Sequence, residues 1–128
     1  MAIVDTDVLI DAMKAENDAK DLLLKIVEKE PLYITQINEY ELYKGAHLSE
    51  HKEHIEQVKK FLSGFQVFVL NIDSIAIAAR TFSELSKKGE LIDDFDILIA
   101  SICIANNQKL VTRNIKHFSR IPGLKLHK

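Results

Sequence analysis

Four acidic or polar clusters stand just past apolar, strand-like runs. Asp5 and Asp7 follow Ala2-Ile3-Val4, and Glu41 opens the segment Glu41-Leu42-Tyr43-Lys44-Gly45-Ala46. Asp93, Asp94 and Asp96 precede the apolar run from Ile97 to Ala105, and Thr112-Arg113-Asn114 follows Leu110-Val111. In an open α/β sheet, groups beyond the carboxyl ends of the strands converge on one crevice. Carboxylates gathered there repel one another unless protons or a cation neutralise them. Oxygen ligands of this kind suit Mg²⁺ or Mn²⁺. The pattern therefore points to metal-dependent phosphoryl transfer or phosphodiester cleavage.

Each acid also has a plainer reading. Asp5 suits a helix N-cap, and Asp7 the first helical turn, where the helix dipole favours negative charge. Asp11, one turn on, reads as a solvated helix residue. Glu41 can be an exposed charge paired with Lys44 three residues on, although Gly45-Ala46 beside it would allow close backbone approach. Glu39 lies about 200° around the same helix by helical geometry, so only one of the two can face a given crevice. Asp93 and Asp96 are neighbours at i, i+3, while Asp94 points elsewhere; three acids are more than one cap needs. Asn114 suits a turn and Thr112 a strand end. The joint pattern, four strand ends each supplying an oxygen ligand, is what favours a site.

The elements that would position these groups alternate. Ile3-Val4 is a short buried strand, and a helix runs from Thr6 to Ala15 with Asp5 or Thr6 as its cap. Asn17 or Asp18 caps a second helix with Ala19, Leu22, Leu23, Ile26 and Val27 on one face. Pro31 breaks the chain before the strand Leu32-Tyr33-Ile34. Thr35 caps a third helix ending near Gly45. Ser49 starts a fourth, with Ile55, Val58, Phe61 and Leu62 inward, and Gly64 ends it. Phe65 to Leu70 reads as a strand. Asp73 caps the next helix, whose expected apolar face is Ile75, Ala76, Ala79, Phe82 and Leu85, and Gly89 suits its left-handed end. The helix begun at Asp93 or Asp94 is apolar nearly all round and so buried on several sides. Asn106-Asn107 turns into a strand from Lys109 to Thr112, and Leu124-Lys125-Leu126 is a final short strand candidate. Strands alternating with helices predict a mostly parallel sheet of four to five strands covered on both faces.

At 128 residues the chain is expected to be a single domain, 1-128, long enough to bury one sizeable core without disulfides. Its only cysteine, Cys103, sits in an apolar run. That excludes a disulfide framework and fits core packing in a reducing, cytoplasmic setting. No apolar stretch reaches membrane-spanning length, and no basic-then-apolar leader opens the chain, so neither a membrane span nor a signal peptide is expected. The net charge of −2 neither advertises nor excludes nucleic acid, since acids gathered round a cation leave basic residues free to face phosphates. His47, His51 and His54 have zinc-like spacing, but the Lys and Glu around them favour a solvated face. His117 is either a substrate contact or a surface residue. Arg80, Arg113 and Lys116 are candidate phosphate contacts or ordinary surface cations.

Taken together the residues resemble a known family, the PIN-domain ribonucleases of the VapC toxin type. The matching segments are Ile3-Val4-Asp5-Thr6-Asp7, Glu41-Leu42-Tyr43-Lys44-Gly45-Ala46, Asp94-Phe95-Asp96-Ile97-Leu98-Ile99-Ala100 and Val111-Thr112-Arg113-Asn114 followed by His117-Phe118. A short Asp-Thr is unspecific; four segments in that order and at those separations are specific, and they cover essentially the whole chain. The resemblance implies a three-layer α/β/α sandwich in which Asp5, Glu41 and Asp96 are the central acids and hold Mg²⁺ or Mn²⁺. The fourth acidic position falls on Asn114, where family members have Asp or Asn, which leaves a second metal open. It further implies supporting or substrate-binding roles for Thr6, Asp7, Asp94, Thr112 and Arg113, an RNA substrate, a homodimer and a small VapB-type antitoxin. The metal would contact the scissile phosphate and activate a water for in-line attack.

Two other readings stand beside it. Asp5-Thr6-Asp7-Val8 nearly fits the first motif of a haloacid-dehalogenase-like phosphatase, with Asp5 as nucleophile and Asp7 as general acid. No lysine follows a strand at a convincing place for that mechanism, and the chain is short for that fold with a cap. A non-catalytic module of the same fold, binding RNA or protein, would need damaged acids, and Asn114 is its only support.

Overall fold

The computed structural model describes residues 1–14 and 17–127. Four strands, β1 (Ala2–Val4), β2 (Leu32–Thr35), β3 (Gln66–Phe68) and β4 (Lys109–Val111), form one sheet in the order β3-β2-β1-β4. Every pairing is parallel, with Ile3 opposite Tyr33 on one side and Leu110 on the other. Parallel neighbours need crossover connections. Here these are helices α1 (Thr6–Met13), α2 (Asn17–Val27), α3 (Gln36–Leu48), α4 (Lys52–Leu62), α5 (Ile72–Lys87) and α6 (Asp94–Ala105), with α7 (Ile115–Phe118) after β4.

Alternation along the central strand separates two cores. Ala2 and Val4 face a cluster with Val8, Leu9, Leu23, Ile26, Leu42 and Val58, which places α1 to α4 on one side. Ile3 faces Leu85, Ile97, Ile99, Ile102, Leu110 and Phe118, which places α5, α6 and α7 on the other. The result is a three-layer α/β/α sandwich. Burying a side chain such as Ile3 or Leu85 completely contributes about 2 kcal/mol, so both layers are held firmly to the strands that carry the acids.

Several element boundaries differ from the sequence expectation. Asn17 and Asp18 lie inside α2 rather than before it, Val27 is exposed, and Ala15, the expected end of α1, lies outside the described residues. Helix α3 runs past Gly45 to Leu48, because Gly45 is an ordinary helical position where an added Cβ would meet nothing within 4 Å. Ser49 therefore ends α3, its hydroxyl donating back to the Ala46 carbonyl at 2.6 Å. Glu50 reverses the chain with a φ of 62°, and α4 starts only after His51. Ser63 ends α4, and Gly64 is not left-handed. The edge strand β3 is shorter than Phe65 to Leu70. The last segment makes a single parallel bridge, Leu126 to Leu110, rather than a fifth strand.

Helix α5 is capped by Asn71, not Asp73, through a reciprocal pair of bonds with Ser74. Its buried face is Ser74, Ala78, Thr81 and Leu85. Of the expected face only Leu85 is buried, and Ile75 and Phe82 are exposed. Gly89 does take the left-handed conformation after it, with a φ of 67°. Among the described residues no helix is long and apolar enough to cross a membrane.

Candidate active site

Asp5 continues the β1–β4 ladder by one step, its N–H donating to the Val111 carbonyl at 2.9 Å. It occupies the N-cap position of α1 in extended conformation, yet its side chain makes no cap bond. The carboxylate turns instead to Thr112, whose Oγ1 donates to Oδ2 at 2.8 Å. Thr112 Oγ1 in turn accepts the Asn114 N–H at 3.0 Å, so its single proton is committed to Asp5. Asp5 is 4% exposed, and its carboxyl is pushed up to about 6. Burial is the largest cause, opposed by the Thr112 bond and reinforced by repulsion from Asp96 and Asp7.

Glu41 sits one and a half turns into α3. Its helix is anchored by Thr35, whose hydroxyl accepts the Asn38 N–H while Asn38 Oδ1 accepts the Thr35 N–H. This is a capping box with Asn at the third helical position. Glu41 Oε1 accepts a 2.7 Å bond from Thr6 Oγ1. Its carboxyl is raised by burial first, lowered by the Thr6 bond, raised by Asp96 and Asp93 and lowered by Lys44. The Lys44 ammonium lies 4.8 Å from the Phe95 ring centre and 5.3 Å from that of Tyr40, at the rim of the cleft.

Asp96 lies in the first turn of α6 and meets His117 Nε2 at 3.0 Å through Oδ2. Its carboxyl is also raised, by burial first and by Asp93 and Asp7, with His117 acting the other way. Asp96 therefore feels, or is felt by, every other acid of the cluster. His117 is thus an intramolecular partner of Asp96, a role the sequence did not assign to it.

The remaining candidates divide. Asp7 is exposed at the cleft and adds to its negative field. Asn114 is exposed and lines the same opening as Asp5, Asp11 and Arg113. Arg113 pairs with Asp11 across that opening. Asp94 is exposed and acts on none of the three central acids among the main influences on them; Asp93, one residue earlier, does. Asn38 was missed. Its only sequence signal was the spacing Thr-x-x-Asn after a strand. Cys103 is buried, and burial pushes its thiol up, which removes it as a nucleophile. His54 Nδ1 faces the Ser49 hydroxyl at 2.7 Å, and His51 lies beside Glu53 at 3.6 Å.

Three carboxylates with raised pKa values, sharing one another's repulsion, are a hard-oxygen donor set that a divalent cation neutralises. As arranged, no three His, Cys, Asp or Glu side chains among the described residues close into a coordination shell. Thr112, Thr6 and His117 each take one carboxylate oxygen. The donor chemistry fits Mg²⁺ or Mn²⁺; closing the shell requires side-chain movement.

The PIN domain family model matches residues 2–124. The chain belongs to the PIN domain family. Among curated PIN relatives, Ribonuclease VapC1 of Methanocaldococcus jannaschii is 35% identical over 98% of this chain and 85% of its own length. Ribonuclease VapC2 of Rickettsia felis is 33% identical over 95% and 92%. The crystal structure of VapBC2 from Rickettsia felis bound to a promoter DNA fragment contains a chain that superposes with a TM-score of 0.89 at 31% identity, covering 98% of this chain and 96% of that one.

Proposed function

We propose that this PIN-domain protein is a Mg²⁺- or Mn²⁺-dependent endoribonuclease, the toxin of a VapBC-type pair. The observation that carries the reading is the meeting of Asp5, Glu41 and Asp96 past the ends of β1, β2 and in the first turn of α6, all three with carboxyls raised by burial. Names of relatives spanning nearly the whole chain support RNA as the substrate. The family membership counts against the aspartyl-phosphate reading. The intact acids count against a binding module.

Asp5, Glu41 and Asp96 would hold the cation. When bound, it offsets charge on the phosphate and lowers the pKa of a water. Thr112 keeps Asp5 facing the cleft, and Thr6 keeps Glu41 there. His117 orients Asp96 through Nε2, 3.0 Å from that carboxylate. Arg113 at the opening and the exposed Lys116 of α7 would contact phosphates, which position RNA without specifying it. Asn114 presents a neutral amide where a fourth acid would stand, which favours one tightly held ion over two.

Two surfaces support the proposed partners. A groove beside Glu41, lined by Ile10, Met13, Leu42 and Val58, has the character that takes the apolar face of a helix, as an antitoxin segment would present. The outward face of α5, with Ile72, Ile75 and Phe82 exposed, is apolar enough to meet a second copy in a homodimer.

The test is cleavage of a structured RNA pool by metal-stripped protein with Mg²⁺ or Mn²⁺ restored, beside Asp5→Asn and Glu41→Gln. Metal-dependent cleavage that both variants lose, by about 10³-fold or more given the charge stabilisation at stake, is expected. Equal cleavage by the parent and both variants would remove the carboxylate site from the reaction.

A further inference from the structure

We infer that Asn38 is a positioning residue for Glu41, acting through Thr6 by dictating which way the Thr6 hydroxyl proton points. The inference rests on the reading of Glu41 as a cation ligand and follows from counting donors and acceptors. The Thr35 N–H can only donate, and it meets Asn38 Oδ1 at 2.7 Å. The Thr35 hydroxyl donates to the same oxygen at 2.9 Å. These two bonds decide which end of the amide is oxygen. The other end, Nδ2, has only protons to offer and lies 2.8 Å from Thr6 Oγ1. Thr6 must therefore accept there, and its single proton is left for Glu41 Oε1 at 2.7 Å.

The chain of polarity runs one way, from a backbone N–H to Asn38, to Thr6, to the carboxylate. Asn38 is fully buried and Thr6 is 6% exposed, so water does not compete for these groups. Helix capping explains the Thr35 bonds but not the Nδ2 bond, which reaches a different element and ends on an acid of the cleft. Glu41 Oε2 takes no hydrogen bond from the described residues. The relay thus immobilises one oxygen of Glu41 and leaves the other for a cation. Partners that orient ligands in this way typically govern 10–100-fold in metal affinity.

The experiment is Mn²⁺ titration of the metal-free full-length protein, following free Mn²⁺ by electron paramagnetic resonance, with thermal melts to establish folding. Asn38→Leu and Thr6→Val are each expected to weaken binding by about tenfold. Combined they should weaken it no further than either alone, and neither should change the affinity of Glu41→Gln. Should Asn38→Leu fail to fold, Thr6→Val, which leaves the Thr35–Asn38 cap in place, carries the test. Folded Asn38→Leu and Thr6→Val proteins that bind like the parent while Glu41→Gln binds weakly would overturn the positioning role and leave Glu41 a ligand. So would effects of the two substitutions that simply add. A parent that binds Mn²⁺ no better than Glu41→Gln would overturn the reading of Glu41 itself, and the relay with it.

Discussion

The three central acids are held in two ways. Asp5 and Glu41 each accept a hydrogen bond from a buried threonine, and each threonine has its proton direction set by an N–H donor: the Asn114 backbone for Thr112, the Asn38 amide for Thr6. Asp96 faces instead an imidazole, and both partners of that pair are about one quarter exposed. One wall of the cleft, the fixed one, therefore has its acids held in set geometry by neutral, buried hydroxyls. The other wall is adjustable, because its imidazole partner is partly open to solvent and to whatever binds beside it. Buried support resists displacement by water, whereas a partly exposed pair yields to solvent more readily.

The largest effect that probes the comparison lies in stability. The Asp5 carboxyl titrates near 6 in the folded protein and near 4 in the unfolded chain. Between those values the folded state holds a proton that the unfolded state has lost. The resulting stabilisation is complete below about pH 4 and disappears as pH rises through about 6, on the order of 2–3 kcal/mol in all. Urea unfolding of metal-free protein should show lower stability at pH 7.5 than at pH 5, with Asp5→Asn losing much of that difference. Equal slopes for parent and variant would mean that Asp5 is not buried as an acid. Next comes Thr112→Val, which leaves Asp5 without its side-chain donor. RNA cleavage should fall by about 10–100-fold, and the acid limb of the pH–rate profile should move upward. Third, His117→Ala should cost about fivefold, because a partly exposed pair is screened by solvent. It should also raise the pH needed for activity, since His117 lowers the Asp96 carboxyl. A greater loss from His117→Ala than from Thr112→Val would reverse the assignment of fixed and adjustable walls.

The fold and the acids were legible in the sequence because both depend on local patterns: apolar triplets for strands, helical periods between them, and acids just past the strand ends. What was illegible depended on distant contacts. In α5 the apolar spacing reveals the helical period but not its phase. The face bearing Ser74, Ala78 and Thr81 turns inward, since small side chains let α5 lie close against the broadly apolar α6, and Ile75 and Phe82 are left outside. Helical spacing already set Asp93 beside Asp96 and turned Asp94 elsewhere, while the family resemblance gave the supporting role to Asp94; it is Asp93 that acts on Glu41 and Asp96. His117 bonds Asp96 across 21 residues, and Asn38 bonds Thr6 across 32. Neither spacing has a local signature. The Thr35–Asn38 half of the relay did, but it reads as a cap, and only the folded chain reveals that the same amide ends on the site.

The smallest expected effect concerns a salt bridge across the cleft opening, between Asp11 of α1 and Arg113 after β4. It joins the two ends of the fixed wall, so it could belong to the support or merely lie over it. Its side chains are 28% and 41% exposed, and exposed pairs of this kind are worth about 0–1 kcal/mol. Asp11→Asn should therefore change unfolding free energy by less than about 1 kcal/mol. It should also leave the Mn²⁺ affinity of the acids where it was, because Asp11 is not among the main influences on Asp5, Glu41 or Asp96. Removing one negative charge from the opening reduces its repulsion of phosphate, so RNA binding should tighten about twofold at low salt and return to the parent value as salt screens the effect. A loss of several kcal/mol, or a weakened Mn²⁺ site, would instead make the pair a structural brace. The fixed wall would then extend from the buried threonines to the mouth of the cleft.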